Sequence, residues 1–284
     1  RSTLFPYTTL FRSLELRRRV FRSRRFIHVY EVIFLSGHSK WANIKHRKAA
    51  QDAKRGNLFQ KLVRAIIIAA KEGGGDPAMN MRLKTAIERA KAVSVPMDNI
   101  IRGIKRGTGE IEGASYEELT YEAYGPNGIA VLVEVLTDNR NRTTPEIRAL
   151  LTRNGGQMGE SGSVSWMFER KGVLEVKGKG LDEDALMSCG LEAGMTDMES
   201  SDEGYTLYCE PGDLGTLQEA LEKAKYAVES AETPMVPKTP VEISDVEAAR
   251  KIMRLIEVLE EHDDTQNVYS NFDLSDEAAA GLEE

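Results

Sequence analysis

Two cysteines, two tryptophans and four histidines in 284 residues leave little material for several common chemistries. Cys189 and Cys209 form no CxxC pair and stand near no histidine, which argues against a disulfide framework or a zinc site and fits a reducing, cytoplasmic setting. His28, His38, His46 and His262 have no metal-ligand spacing and no neighbouring nucleophile, so the expected metal set is none. No run of about 18 uncharged apolar residues exists to predict a membrane span. The Walker phosphate loop is missing as well: Gly73-Gly74-Gly75 closes a predicted helix, and Gly107-Thr108-Gly109 lacks the following Lys and Ser/Thr. Gly159-Glu160-Ser161-Gly162-Ser163 approaches a nucleophile elbow but carries Ser163 where the second glycine belongs. The acidic pair Asp263-Asp264 follows a predicted helix end and reads as solvated capping. Together these gaps point away from an enzyme and predict no cofactor and no small-molecule substrate.

What the chain does hold is charge, unevenly placed. The formal net charge is -7. Residues 1–35 carry 8 basic and 2 acidic groups, residues 36–112 carry 16 and 7, and residues 113–284 carry 14 and 36. One end is therefore suited to phosphate, and the long acidic body repels it.

Residues 1–34 show no sustained 2.0 or 3.6 period and are rich in Arg and Ser. Two readings compete for this stretch: a transit peptide, or translated upstream or adapter-derived DNA. The second is favoured, because Leu35 is what a TTG or CTG start codon becomes when a frame is translated straight through. Residues 1–35 are thus expected to be a non-native leader.

From Ser36 the text turns helical and basic. SGHSKWANIKHRKAAQDAKRGNLFQKLVRAIIIAAKEGGG is free of proline and predicts a helix, a break at Gly56, a second helix capped by Asn57, and a stop at Gly73 to Gly75. Leu58, Leu62, Ile66 and Ala69 or Ala70 recur at helical spacing as a buried stripe. A third helix is predicted from Asn80, burying Leu83, Ile87, Ala90 and Val93, and a fourth from Pro96 with Ile100, Ile101 and Ile104. Residues 36–113 read as a basic helical domain. Between Ser36 and Lys71, Asp52 is the one acid among nine cations: Lys40, Lys45, Arg47, Lys48, Lys54, Arg55, Lys61, Arg64 and Lys71. The first helix has only Trp41, Ile44 and Ala49 as apolar anchors, so most of its circumference faces water or a phosphate backbone. Trp41, His38 and His46 suit base stacking, and Trp41 equally suits a core anchor.

Beyond Gly113 strands and helices alternate. Strands are predicted at 120–124 and 129–136 around the turn Gly125-Pro126-Asn127-Gly128, then a helix from Pro145 to Arg153 capped by Thr144, and a strand at 164–168. Residues 171–235 then follow the βαββαβ order of a ferredoxin-like unit, with a helix opened by Asp182 between Leu181 and Leu186. Past the proline-rich connector 233–240, Ser244 and Glu247 predict a capping box, a helix follows, and a strand at 266–272 returns to the first sheet. The fold class is therefore α+β multidomain: an N-terminal helical bundle, a discontinuous α+β domain formed by 114–170 plus 236–275, a ferredoxin-like domain inserted at 171–235, and an acidic tail at 276–284. Within the acidic body, Arg140 and Arg142 enter a helix start where free N–H groups offer an anion site. They are equally suited to pairing with acids such as Glu134 or Asp138.

SGHSKWANIKHRKAAQDAKRG, GGGDP at 73–77, YEAYGPNG at 121–128 and LTDNRNRT at 136–143 closely resemble the YebC/PmpR family of probable transcriptional regulatory proteins. The likeness runs from about Ser36 to the C-terminus, and Leu35 aligns with the family's initiator methionine. The resemblance implies a helical first domain and two α+β domains, one ferredoxin-like and inserted in the other. It implies a nucleic-acid-binding regulator of gene expression, by family label a DNA-binding transcriptional regulator, with translation as the rival because some relatives are mitochondrial translational activators or ribosome-associated factors. The expected partners are DNA or ribosomal RNA, and the ribosome itself; a protein-binding scaffold is the weaker alternative. The candidate nucleic-acid-binding residues are Lys40, Trp41, Lys45, His46, Arg47, Lys48, Lys54, Arg55, Lys61, Arg64, Arg140 and Arg142. No recognition helix aimed at base edges is identifiable, so a phosphate-tracking surface is expected.

Overall fold

The computed structural model describes residues 53–178, 180–201 and 204–283. Helix α1 (Ala53–Gly73) buries Leu62, Ile66, Ala69 and Ala70 against Leu83, Ala86, Ile87 and Ala90 of α2 (Met81–Ala92) and Ile100 of α3 (Met97–Gly107). Asn80 sets the entry to α2: its Oδ1 accepts from the Leu83 N–H, and its Nδ2 donates to the carbonyls of Ala69 and Gly74. Gly103 and Gly107 let α3 cross α1 closely, since a Cβ at Gly107 would lie 2.4 Å from the Ile67 carbonyl oxygen. The predicted break at Gly56 and cap at Asn57 do not occur, because α1 runs through both positions. A helical glycine costs only about 1 kcal/mol. Asn57 is used sideways instead, its Nδ2 donating to the Glu261 carbonyl.

The first sheet grows from the antiparallel pair β1 (Glu117–Tyr124) and β2 (Ala130–Thr137), joined through Asn127 and Gly128 at φ +61° and +74°. After β2 comes α4 (Arg140–Arg153), which starts five residues before the predicted Pro145. Asn139 caps it by accepting from the Arg142 N–H, and Thr144 turns back onto the Arg140 carbonyl. The short β3 (Gln157–Met158) pairs with β1. The strand expected at 164–168 is instead a 3₁₀ turn, Ser165–Met167, followed by β4 (Phe168–Arg170). The reason is a partner distant in sequence: the N–H groups of Gly162, Val164 and Ser165 bind the Glu122 carboxylate and are lost to any ladder.

The second sheet follows as β5 (Gly172–Lys177), α5 (Glu183–Glu192), β6 (Met195–Ser200), β7 (Gly204–Cys209), α6 (Leu214–Lys223) and β8 (Ala227–Glu232). Its strand order is β6-β7-β5-β8, antiparallel throughout, over a core of Leu174, Leu186, Leu207, Leu217 and Leu221. Asp182 caps α5 through the Ala185 N–H. The chain returns through β9 (Met235–Pro237), which pairs with β4, and β10 (Val241–Ile243), which pairs in parallel with β12 (Phe272–Leu274).

Between them lie α7 (Val246–Glu261), capped by Asp245 rather than Ser244, and β11 (Thr265–Ser270). β11 joins the free edge of β2, giving the order β11-β2-β1-β3. Strand alternation then sorts the side chains: Val131, Val133 and Val135 meet Ile147, Leu151, Ile252 and Leu255 of α4 and α7, while Ala130 and Leu132 meet Val164 and Phe168 on the other face. Helix α8 (Asp276–Glu283) closes the chain over α7.

Candidate nucleic-acid interface

Of the basic residues expected to meet phosphate, Lys40, Trp41, Lys45, His46, Arg47 and Lys48 lie outside the described residues, as do the side chains of Lys54 and Arg55. Lys61 and Arg64 do not face an open surface, which corrects the expectation for both. Lys61 is 6% exposed and its Nζ donates to the Glu260 carbonyl. Burial pulls its pKa down to about 8, against the opposing pull of Glu260 and Asp263. Arg64 donates to the Asp263 carbonyl at 2.6 Å and to Asp264 Oδ1 at 2.9 Å, and lies 5.6 Å from the Tyr116 ring centre.

The physical cause is the end of α7. A helix C-terminus presents unpaired carbonyls and a partial negative charge. Two cations and the Asn57 amide of α1 satisfy it, so the acid-free side of α1 is complementary to part of its own chain. Asp264 is the hub of this junction and is only 1% exposed, not a solvated cap. Its carboxylate accepts from Thr143 Oγ1 at 2.6 Å, Arg142 Nη2 at 2.6 Å and Thr137 Oγ1 at 3.1 Å besides Arg64. Burial pushes its pKa up, but the hydroxyls and guanidinium groups more than reverse this and hold it below the usual carboxylate range.

The two arginines of α4 therefore part company. Arg142 pairs with Asp264, with Asp138 at 3.2 Å and with Glu146 at 3.9 Å. Arg140 is exposed and has no ion-pair partner among the described residues.

A further set of cations went unread in the sequence. Lys84 and Lys91 on α2, and Arg102, Lys105 and Arg106 on α3, are exposed, and their side chains have no ion pair or hydrogen-bonding partner among the described residues. By contrast, Arg82 is held by Glu72 and Glu118, and Arg89 by Glu232. Glu88 and Asp98 hid these helices behind mixed charge. The available signal was the spacing Arg102, Lys105, Arg106, which places three cations on the side of α3 opposite the buried Ile100 and Gly103. Arg106 also lines a cleft of about 570 Å³ with Lys71, Glu112, Ser115 and Tyr116, where the Lys71 ammonium donates to Ser115 Oγ at 3.1 Å.

Among the described residues no group of three or more His, Cys, Asp or Glu is placed to hold a metal ion. No helix among them is long and apolar enough to cross a membrane. Among the described residues the arrangement can bind anions by charge.

Known proteins match over most of the chain. Residues 39–110 match the TACO1/YebC protein N-terminal domain, and residues 116–272 match the TACO1/YebC second and third domain. A probable transcriptional regulatory protein of Chlorobaculum parvum is 56% identical over 251 residues, 88% of this chain and 100% of that protein. One of Persephonella marina, carrying the same description, is 52% identical over 85% of this chain and 97% of its own length. The crystal structure of a conserved hypothetical protein from Aquifex aeolicus superimposes with a TM-score of 0.75 at 47% identity, covering 84% of this chain and 98% of that one.

Proposed function

The chain belongs to the TACO1/YebC family, and from that membership together with its charge polarity we propose that it is a nucleic-acid-binding regulator of gene expression. The relatives' description as probable transcriptional regulatory proteins makes DNA-binding control of transcription the first reading. The observation that carries the proposal is the set of exposed cations on α2 and α3 that are unpaired among the described residues, in the part of the chain past residue 35 with a basic surplus, attached to a strongly acidic body. Such a division concentrates the electrostatic attraction for a polyanion at one end.

One observation favours a second reading, RNA binding in translation. The exposed side of α3 offers Met97, Ile101 and three cations, and no Asn or Gln stands fully exposed on it to read an adenine edge. Cations of this kind follow backbone shape, which structured RNA provides as readily as duplex DNA.

The test is binding of the whole chain to duplex DNA, structured RNA and ribosomes across a salt series, for the wild type and for Arg102→Glu/Lys105→Glu/Arg106→Glu. Each lost phosphate contact lowers the slope of log K against log salt by roughly 0.9 for duplex DNA. The triple variant is expected to lose affinity by at least tenfold and up to about three units of slope. Sequence-selective duplex binding supports transcription, and co-sedimentation with ribosomes supports translation. Absence of binding to all three overturns the proposal in favour of a protein scaffold.

A further inference from the structure

Among the described residues, two aromatic side chains stand out into solvent, Tyr124 at 38% and Trp166 at 65% exposure. They belong to different segments, the end of β1 and the 3₁₀ turn before β4, yet they converge on one atom. Tyr124 Oη and Trp166 Nε1 each donate to the Ser163 carbonyl oxygen at 3.1 Å. That carbonyl sits on a loop fixed from beneath by the buried Glu122 carboxylate, which accepts from the N–H groups of Gly162, Val164 and Ser165 at 2.6, 2.7 and 2.8 Å. Burial would raise the pKa of Glu122, but these backbone donors hold it below the usual carboxylate range, so the clamp is ionised at neutral pH. Gly159 completes the seat, since a Cβ there would lie 2.4 Å from Ser163 Oγ.

We infer that Tyr124 and Trp166 form a preorganised stacking platform for unpaired bases of a single-stranded nucleic acid. The inference rests on the nucleic-acid reading above and adds to it a second contact point on the acidic body. Three features select bases over a protein surface. Both polar handles are already used inside the loop, so the faces of the rings are what remains, and stacking needs only a face. The surrounding residues, Gln157, Glu160, Ser161, Gly162 and Glu169, are exposed and polar or small, and provide no continuous apolar patch for a hydrophobic partner. A cation flanks the site despite Glu160 and Glu169: the exposed Lys238 donates its backbone N–H to the Met167 carbonyl at 2.8 Å, next to Trp166. Rings held in place before binding lose little freedom on contact. Duplex bases are already stacked on their neighbours, so the platform selects loops and single strands.

The experiment compares wild type, Trp166→Ala, Trp166→Phe and Tyr124→Ala in the full chain against oligouridylate and oligothymidylate of about 12 nucleotides and against a duplex of equal length. Base stacking on an aromatic corresponds to roughly a 5- to 140-fold loss of single-strand affinity when the ring is removed. Trp166→Ala is expected in that range, Tyr124→Ala at its lower end, Trp166→Phe within about threefold of wild type, and duplex affinity unchanged within about twofold. Tryptophan emission of the wild type is expected to be quenched by the single strand, and Trp166→Phe to lose most of that change while keeping its affinity. Wild type that binds single strands with Trp166→Ala indistinguishable from it overturns the platform and leaves the proposed function standing. Wild type that binds no nucleic acid overturns both.

Discussion

Replacing Asp264 tests whether the junction between the helical unit and the first sheet is organised around one buried carboxylate. Removing one partner from a buried ion pair costs about 3–5 kcal/mol. That figure is reduced here. Arg142 is 44% exposed and keeps Asp138 and Glu146, and Arg64 keeps the Asp263 carbonyl. Thr137 and Thr143, whose hydroxyl oxygens lie 2.8 Å apart, can turn a proton toward each other once the carboxylate is gone. Asp264→Ala is therefore expected to cost about 2–4 kcal/mol, and Asp264→Asn, which can still accept hydrogen bonds, about 1–2 kcal/mol. For a fold of this size the alanine variant should melt roughly 5–15 °C lower by calorimetry. The acid limb supplies a second readout. A carboxylate with a lowered folded pKa contributes stability above the unfolded value of about 3.9 and loses it as pH falls through the folded value. Wild type should therefore show an extra loss below about pH 4 that Asp264→Asn lacks. A cost under about 1 kcal/mol for the alanine variant, or an unchanged acid limb in the asparagine variant, would refute the hub.

The elements that the sequence disclosed are those with local causes. Asn80 and Asp182 cap where their side chains reach an N–H three residues on, and the apolar period of α2 survives into its buried face. The β1–β2 hairpin is visible in Gly125 to Gly128, and the α+β class follows from such elements in order. What stayed hidden depends on distant partners. Nothing near Val164 announces that its N–H is taken by Glu122, more than forty residues earlier, so an apolar run read as strand. Likewise a lysine and an arginine on a helix with no acid before Glu72 read as free charge until the end of α7, about two hundred residues away, is brought to them. Asp264 and Tyr124 illustrate the same limit: a polar residue at a segment end is equally consistent with solvent, a hub or a platform until its neighbours are in place.

Gly107→Ala forces a methyl group against the Ile67 carbonyl and Ala70 at the α1–α3 crossing, and urea unfolding should register a loss of about 1–3 kcal/mol. Lys61 has a folded pKa lowered to about 8, so between that value and the unfolded lysine value the unfolded chain binds the extra proton and stability from this group rises with pH. Lys61→Met should remove that rise in urea midpoints compared between pH 7.5 and 10, and an unchanged difference would show Lys61 to be solvated. Arg140 and Arg142 separate stability from binding most directly. Arg142→Glu places a carboxylate among Asp138, Glu146 and Asp264, and should lower the melting temperature by roughly 5 °C or more. Arg140→Glu disturbs no ion pair among the described residues and should melt within about 2 °C of wild type, as surface changes do. If Arg140 reaches phosphate, its reversal also weakens nucleic-acid binding and lowers the salt slope by about one. Equal melting losses for the two variants would show that the fold depends on Arg140 no less than on Arg142, leaving the cations of α2 and α3 to account for binding.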